Sequence, residues 1–207
     1  MRRLNRLAVL ALALAPTSIW AQERPAGWEF RFDQPGTPDS AVSFVTMEPG
    51  WHLTTGPRLI LYDPSMRAEG TYQVQGTIHL FPGPPQEAFG VFIGGANLQG
   101  TDQTYTYFVI RGDGHFLIKQ RRGTSTPTIH PWTKHGAIVL VATGTQSVRN
   151  VLAVDVGADS IAFYINGALA ARIPKDGVQT SGIVGLRVNH RLNLHIEELT
   201  VTRTSNN

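Results

Sequence analysis

The feature that most constrains the fold is a succession of short apolar runs, rich in β-branched and aromatic residues, separated by Gly, Pro, Asn and Asp. Within these runs apolar and polar residues alternate, which is the period of a strand with one buried face. After residue 21 no stretch sustains the 3.6-residue apolar period of a helix over three turns. Runs of this kind are typical of antiparallel sandwiches and barrels, and about 12 to 14 strands are expected. The predicted strands of this all-β chain are Trp28–Phe32, Ala41–Met47, Trp51–Thr54, Arg58–Tyr62, Thr71–Leu80, Ala88–Gly94, Thr104–Ile110, His115–Arg121, Ile138–Val141, Val148–Val156, Ser160–Ile165, Leu169–Ile173, Ile183–Val188 and Leu192–Thr202.

The residues between these runs indicate how successive strands pair. Asn166-Gly167 is the pair that a tight two-residue hairpin favours, because both positions need a positive φ. Arg111–Gly114 supplies two glycines between two further alternating runs. The proline-rich stretch Phe81–Pro85 cannot lie in a central strand, since proline lacks the amide hydrogen that the ladder needs. We therefore predict hairpin meanders, with a loop at Phe81–Pro85 that connects two sheets.

The first 21 residues have the layout of a secretory signal peptide. Three arginines precede the apolar run Leu7–Ala15, and Ala21 stands at the expected cleavage point. The apolar run is shorter than the roughly 20 residues that a membrane-spanning helix needs. We predict cleavage near Ala21, a single domain over residues 22–207, and a mature protein that is periplasmic or secreted without a membrane span.

Removal of this segment changes the charge of the protein. The whole chain carries 18 Lys and Arg against 15 Asp and Glu, a net charge of +3, and the three arginines of the segment face no acid there. The mature chain therefore has 15 basic and 15 acidic residues and a formal net charge of zero. This balance does not indicate a nucleic-acid-binding surface. Cysteine is absent, so the exported domain must depend on its apolar core for stability and cannot be a lipoprotein.

Several phrases near the carboxyl terminus resemble those of laminin G-like and other concanavalin A-like domains. DSIAFYING at Asp159–Gly167 resembles their hairpin that turns at Asn-Gly, GIVGLRV at Gly182–Val188 resembles a late strand, and LHIEELTV at Leu194–Val201 resembles the last strand. A similar layout occurs in an exported bacterial family named for 3-keto-disaccharide hydrolase activity, and Ala88–Gly123 resembles uncharacterised exported proteins of the same superfamily. The resemblance implies a two-sheet antiparallel jelly-roll β-sandwich of concanavalin A-like type. It implies no single activity, because this fold carries lectins, glycosidases and adhesion modules.

No catalytic motif stands out. The E-x-D-x-x-E pattern of concanavalin A-like glucanases is absent. Glu197 and Glu198 are adjacent, so a strand points their side chains to opposite faces and they make a poor acid–base pair. We predict no catalytic residue from the sequence, and a carboxylate pair assembled from separate strands stays open.

Metal-binding patterns are sparse. There is no H-E-x-x-H motif and no cysteine ligand, and we interpret His130 and His135 in HPWTKH as part of a solvated loop rather than as a ligand pair. Calcium binds scattered carboxylates and backbone carbonyls. We predict no metal site and no cofactor, and keep calcium open as an alternative. Its conceivable ligands are Asp102, Asp113, Asp155 and Asp159.

A ligand-binding face is the positive prediction. In the runs at 104–111, 115–121 and 183–189 the apolar residues share one face, while tyrosines, basic residues and an amide share the other. Aromatic planes beside a few polar groups are suited to sugars. Trp51, Trp132 and His190 are expected to border this face from loops. The predicted ligand-binding residues are Tyr105, Tyr107, Lys119, Arg121, Trp132, Arg187, Asn189 and His190.

Three functions follow from this reading. The leading one is an exported non-catalytic domain that binds carbohydrate or a glycoconjugate. The second, implied by the family resemblance, is a sugar hydrolase or lyase. The third is a structural or adhesion module that binds another protein through a sheet edge or a loop. The sequence does not indicate the oligomeric state.

Overall fold

The computed structural model describes residues 24–204 apart from positions 143 and 145. The predicted signal peptide and its cleavage point near Ala21 lie outside the described residues. The described residues contain one 3-10 helix, Asp39–Ala41, and fourteen strands. The strands are β1 (Glu29–Phe32), β2 (Val42–Thr46), β3 (Trp51–Thr55), β4 (Leu59–Ala68), β5 (Tyr72–Leu80), β6 (Ala88–Ala96), β7 (Thr104–Arg111), β8 (His115–Arg122), β9 (Thr128–Lys134), β10 (Val148–Val156), β11 (Ser160–Ile165), β12 (Ala168–Pro174), β13 (Gly182–Val188) and β14 (Leu192–Arg203).

The strands form two antiparallel sheets of seven strands each. Sheet A has the order β1-β4-β13-β6-β7-β8-β9, and sheet B has the order β12-β11-β10-β5-β14-β3-β2. Strands that are distant in sequence lie side by side, as β13 does between β4 and β6. The predicted two-sheet antiparallel sandwich is confirmed. Within the described part of the chain no helix is long and apolar enough to cross a membrane.

The core lies between the two sheets and takes one face of each strand. Phe108 of β7 and Phe116 of β8 are fully buried on sheet A, and Phe163 of β11 is fully buried on sheet B. The ring centroids of Phe108 and Phe163 are 5.2 Å apart, so side chains of the two sheets interdigitate. Burial of such side chains stabilises the fold by about 25 cal/mol per Å² of apolar surface removed from water. The predicted division of β7 and β8 into an apolar inner face and an opposite face is confirmed.

The segment 138–141 is not a strand, and that prediction is wrong. The amide of Val139 donates a hydrogen bond to Oδ1 of Asn150 at 2.9 Å, and Nδ2 of Asn150 donates to the Val139 carbonyl at 3.0 Å. A side-chain amide therefore takes the place of a partner strand, so the segment meets its backbone hydrogen-bonding needs without joining a sheet.

The outermost strand of sheet A is instead β9, in a stretch interpreted from the sequence as a solvated loop. It pairs with β8 alone, which leaves its other edge free to accommodate Pro131. The ring of His130 stacks on Phe116 with centroids 4.8 Å apart, and Nε2 of His135 lies 3.3 Å from the carbonyl oxygen of Leu169. The two histidines thus have separate packing roles.

The turns follow the predicted chemistry. Asn166 and Gly167 have φ values of 50° and 81° in the hairpin between β11 and β12. The loop Phe81–Pro85 connects β5 of sheet B with β6 of sheet A. In β6, Gly94 has φ +64°, and a Cβ there would lie 2.2 Å from the carbonyl oxygen of Gln179. The glycines of β6 thus permit close backbone approach in a central strand.

Candidate functional site

The face of sheet A that points away from the core, here called the outer face of sheet A, carries an aromatic layer. The ring centroids of Phe92 and Tyr105 are 5.2 Å apart, those of Tyr105 and Tyr107 are 5.7 Å apart, and Tyr62 lies 6.5 Å from Phe92. The outward face of an antiparallel sheet is usually polar. Here Leu98, from the loop after β6, packs on the rings and forms with them a second apolar cluster. The result is a rigid surface rather than a solvated one.

Arg187 is the charged centre of this face. Its two Nη atoms donate hydrogen bonds to the two carboxylate oxygens of Asp33 at 2.6 and 2.5 Å. Nη1 lies 3.5 Å from the hydroxyl of Tyr105, and the guanidinium carbon is 5.8 Å from the ring centroid of Tyr107. Only 6% of Arg187 is exposed. A bidentate pair of this kind holds the guanidinium in one orientation.

The electrostatics of the pair follow from its surroundings. Burial acts to raise the pKa of Asp33, but the hydrogen bonds and charge of Arg187, with the charges of Arg121 and Arg58, outweigh it and hold that pKa below its ordinary value. Burial raises the pKa of Tyr105 and of Tyr107, with the charge of Arg187 acting in the opposite direction. Asp33 is therefore a carboxylate at neutral pH, and the two tyrosines are neutral hydroxyls.

Two further basic residues lie beside the tyrosines on the next strand. Arg121 is directly opposite Tyr105, and Lys119 is directly opposite Tyr107, in the register of β7 with β8. Lys119 and Arg121 are two residues apart, so they share the outer face at a spacing of about 7 Å. The structure thus brings together five of the eight predicted site residues: Tyr105, Tyr107, Lys119, Arg121 and Arg187.

The structure changes the role of Tyr105 within this group. Its side chain is 1% exposed and belongs to the apolar cluster beneath the surface. The ring therefore supports Arg187 and Tyr107 and does not offer a plane to a ligand. Tyr107, Lys119 and Arg121 are partly exposed and are the members of the group that a ligand can reach.

Trp132 lies apart from this group. It is on β9 rather than in a loop, is 39% exposed, and packs against the guanidinium of Arg111 at 4.1 Å. Arg111 also pairs with Asp113 at 2.8 Å. Because Arg111 is six residues beyond Tyr105 on β7, this cluster lies about 20 Å further along the outer face.

Asn189 and His190 follow β13 at the same end of the sheet. The backbone amide of Asn189 donates a hydrogen bond to the carbonyl of Ala88 at 2.8 Å, and His190 lies 3.4 Å from the carboxylate of Glu87. Trp51, expected to border the face from a loop, is 9% exposed in β3 of sheet B, so that expectation is wrong. Its indole completes the apolar core, with the Trp28 ring 5.2 Å away.

Sequence reasoning missed the acid that holds the site together. Asp33 follows β1 and is 154 positions from Arg187. Arg58, whose Nε lies 3.9 Å from Asp33, also approaches through the fold alone. No local motif marks either residue, because β1 and β13 come into proximity only through their shared neighbour β4.

A cleft of about 430 Å³ adjoins the aromatic layer. The hydroxyl of Tyr62 points to it, donating to Oε2 of Glu29 at 2.9 Å and accepting from Nε2 of Gln99 at 2.7 Å. The walls include Leu98 and Ile183, members of the same apolar cluster. Another cleft, of about 650 Å³, lies outside this cluster between the loops at 101–104, 120–123 and 177–179. We place the candidate site at the first cleft and the adjoining arginines, because fixed polar groups converge there on a layer of aromatic rings.

Asp33, the carboxylate at the centre of this face, is poorly suited to act as the general acid of glycoside hydrolysis. A general acid needs a raised pKa, so that it carries a proton near neutral pH. Asp33 is held ionised by Arg187. Among the described carboxyl groups with a clear displacement of the pKa, Asp113 and Glu197 are also displaced downward.

The conceivable calcium ligands do not converge. Nδ2 of Asn97 donates to Asp102 at 2.7 Å, Nε2 of Gln73 donates to Asp155 at 2.6 Å, and Asp113 pairs with Arg111. No group of three or more His, Asp or Glu side chains within the described residues is arranged to hold a metal ion.

Comparison with known proteins identifies the fold. No protein-family model matches the chain, and no curated protein matches it significantly in sequence. Among solved structures, the carbohydrate-binding module CBM66 from Bacillus subtilis matches with a TM-score of 0.62 and 11% identity, over 85% of this chain and 95% of that one. A glycoside hydrolase family 16 endo-glucanase from Bacteroides ovatus matches with a TM-score of 0.61 and 9% identity, over 86% and 96%. The carbohydrate recognition domain of Emp46p matches with a TM-score of 0.55 and 10% identity, over 87% and 90%.

At such identities the likeness shows the fold alone. Carbohydrate-binding modules, lectins and glycoside hydrolases all use this architecture, so the site must decide between them. With its two seven-stranded antiparallel sheets, the chain has the concanavalin A-like lectin/glucanase fold.

Proposed function

We propose that the protein is an exported, non-catalytic domain that binds carbohydrate or a glycoconjugate on the outer face of sheet A. The observation that carries the proposal is the buried Arg187, fixed by both oxygens of Asp33 and bordered by Tyr105 and Tyr107. The buried pair fixes the base of the face, on which the partly exposed Tyr107, Lys119 and Arg121 stand beside aromatic surface. Convergent polar groups on an apolar surface are what a sugar site needs.

The residues around Arg187 supply the remaining chemistry of recognition. The ring of Tyr107 offers partly exposed aromatic surface, and Lys119 and Arg121 offer hydrogen-bond donors next to it. In the adjoining cleft the Tyr62 hydroxyl and the Gln99 amide add groups suited to sugar hydroxyls. The cationic surface of Arg111 and Trp132 provides a second contact further along the face for an extended ligand.

The ionised state of Asp33 supports binding without catalysis, because it leaves the carboxylate at the centre of the face without a proton to donate. Export is proposed on the composition of residues 1–21. A folded domain without cysteine is compatible with that destination, since its stability rests on the apolar core.

The test is glycan-array binding combined with an assay for released sugar. We expect saturable binding without product release. Tyr107→Ala should weaken binding to the glycans that score positive by several-fold to roughly tenfold, the usual range for loss of an aromatic contact. Tyr164→Ala is the matched control, because Tyr164 is a partly exposed tyrosine on the outward face of sheet B.

Other outcomes contradict the proposal. Release of sugar from the bound glycans would assign the hydrolase or lyase function. Absence of glycan binding, with capture of a partner protein, would assign the adhesion function. Equal effects of Tyr107→Ala and Tyr164→Ala would move the glycan site away from sheet A.

A further inference from the structure

We infer that the sugar bound on the outer face of sheet A is anionic, and that Arg121 and Lys119 bind its carboxylate or sulfate group. The inference rests on the proposed carbohydrate function and names the class of ligand. Two observations carry it: basic side chains outnumber carboxylates on this face, and within the described residues the two basic side chains that a ligand can reach have no protein partner.

The charges on this face do not balance. The carboxylates beside the aromatic layer are Glu29, Asp33 and Asp102. Glu29 accepts hydrogen bonds from Tyr62 and Gln99, and Asp102 accepts one from Asn97. Both oxygens of Asp33 are taken by Arg187. Five basic side chains therefore face three carboxylates, although the mature chain as a whole has no net charge. The basic residues are Arg31, Arg58, Lys119, Arg121 and Arg187.

Other carboxylates near the margins are already neutralised or bonded. Asp113 pairs with Arg111 at 2.8 Å and with His115 at 3.0 Å. At the end of β13, Glu87 lies 3.4 Å from Nδ1 of His190. These groups cannot compensate the central excess, since each has a cationic or polar neighbour of its own.

Arg121 is the clearest unpaired member. Its charge lies close enough to lower the pKa of Asp33, yet within the described residues its side chain forms no hydrogen bond and no ion pair. The Nε of Arg121 is buried without an acceptor, as is that of Arg187. A partly buried guanidinium without a counter-charge is destabilising, because it loses hydration and gains no attraction in return. The missing counter-charge is readily supplied from outside by the ligand.

Lys119 is a second basic residue of β8 without a partner. Its ammonium group has no hydrogen-bond or ion-pair partner in the described part of the chain, and it stands beside Tyr107 in the strand register. A pyranose ring stacked on Tyr107 would therefore carry its substituents toward Lys119 and Arg121. The planar fork of a guanidinium suits the paired oxygens of a carboxylate or a sulfate.

The experiment compares acidic polymers with neutral counterparts by affinity electrophoresis of the purified protein. The carboxylate probes are polygalacturonate and alginate, set against fully methyl-esterified galacturonan. The sulfate probe is dextran sulfate, set against dextran. We expect retardation by at least one acidic polymer and a much weaker effect of its neutral counterpart. Retardation by the carboxylate polymers or by dextran sulfate shows whether the site binds a carboxylate or a sulfate group.

Variants assign the effect to the site. Arg121→Gln and Lys119→Gln should each weaken binding to the acidic polymer by roughly tenfold, as expected for loss of a charge-assisted hydrogen bond. Arg172→Gln, at an exposed position on the outermost strand β12 of sheet B, is the matched control and should leave binding unchanged. Thermal unfolding of Lys119→Gln and Arg172→Gln should match the parent, and Arg121→Gln should melt no lower than the parent, because the change removes an uncompensated guanidinium.

The outcomes separate this inference from the proposed function. Binding of neutral polymers that Tyr107→Ala weakens, with no preference for acidic ones, overturns the inference and leaves the carbohydrate function standing. Failure of every acidic and neutral glycan overturns both. Equally tight binding of single-stranded DNA, lost in Arg121→Gln to the same degree, shows a general polyanion surface and also overturns the inference.

Discussion

The outward faces of the two sheets obey the same alternation of side chains but use it differently. On sheet A the face is an aromatic layer around the buried pair of Arg187 and Asp33. On sheet B it is polar, and its central strands carry a row of three histidines in direct cross-strand register: His52, His195 and His79. Sheet B therefore has a polar face in which His195 is buried, whereas sheet A has a second packed apolar layer.

The difference lies in how the charged groups are held. Glu197 on sheet B pairs with His79 at 2.7 Å and with Arg149 at 3.4 Å, both in partly exposed positions. Such pairs contribute little to stability, because water and salt screen them. Arg187 has lost its hydration and depends on Asp33. On sheet A the guanidinium is therefore held in one orientation, whereas the charged groups on sheet B are free to rearrange. A fixed arrangement of groups is better suited to binding a ligand.

The largest expected effect tests the packed layer. Phe92→Ala removes a fully buried ring from the outer face of sheet A and should lower the free energy of unfolding by about 3 to 5 kcal/mol. Gln75→Ala, on the outward face of the central strand β5, is the control and should change it by about 0.5 kcal/mol or less. Urea unfolding followed by tryptophan fluorescence measures both. Equal losses would mean that the two faces do not differ in packing.

Local sequence signals account for most of the fold. Asn166-Gly167 specifies its hairpin through positive φ values, and the alternation around Phe108 and Phe116 assigns the buried face. These signals involve residues that are close together in the chain, so they can be recognised in a single sequence. Segment 138–141 shows their limit, because its apolar pattern is that of a strand while its actual partner is the side chain of Asn150.

The site is less predictable because its central contact is not local. Tyr107, Lys119 and Arg121 could be placed on one face from alternation in a single hairpin. The partner of Arg187 could not, since Asp33 reaches it only after β1, β4 and β13 have paired. The burial of Tyr105 could not be predicted either. Alternation indicates which face of the sheet a residue lies on, but it does not indicate that Leu98 and the neighbouring rings cover Tyr105.

A smaller effect is expected from breaking one ion pair on each face. Arg187→Met leaves the Asp33 carboxylate partly buried without its partner and should lower the free energy of unfolding by about 3 kcal/mol. Arg149→Met removes an exposed partner of Glu197 and should cost less than about 1 kcal/mol. Chemical unfolding of the two variants gives the comparison, and a second change, Asp33→Asn, should recover part of the loss only in the Arg187→Met background. Similar costs for the two arginines would show that the pair on sheet A is screened like a surface pair.

The smallest expected effect is a difference between the two faces in how stability depends on pH. Burial, followed by the nearby charges of His79 and His52, lowers the pKa of His195 below its ordinary value, although a hydrogen bond with the Pro49 backbone and the charge of Glu197 oppose this. The unfolded chain then takes up a proton first, so the protein loses stability as the pH falls through about 6.5, the ordinary histidine value. The lowered pKa of Asp33 acts in a different window: its contribution is complete above about pH 4 and is lost only below that.

Melting temperatures at about pH 7.5 and about pH 5 therefore include the protonation of His195 and exclude that of Asp33. The parent protein should melt lower at the acidic pH, and His195→Gln should reduce that difference because it removes the group that takes up the proton. Asp33→Asn should lower both melting temperatures and leave the difference between them unchanged, since its titration lies outside the interval. An unaltered difference in His195→Gln, or a smaller one in Asp33→Asn, would assign the acid sensitivity to a region other than the histidine row.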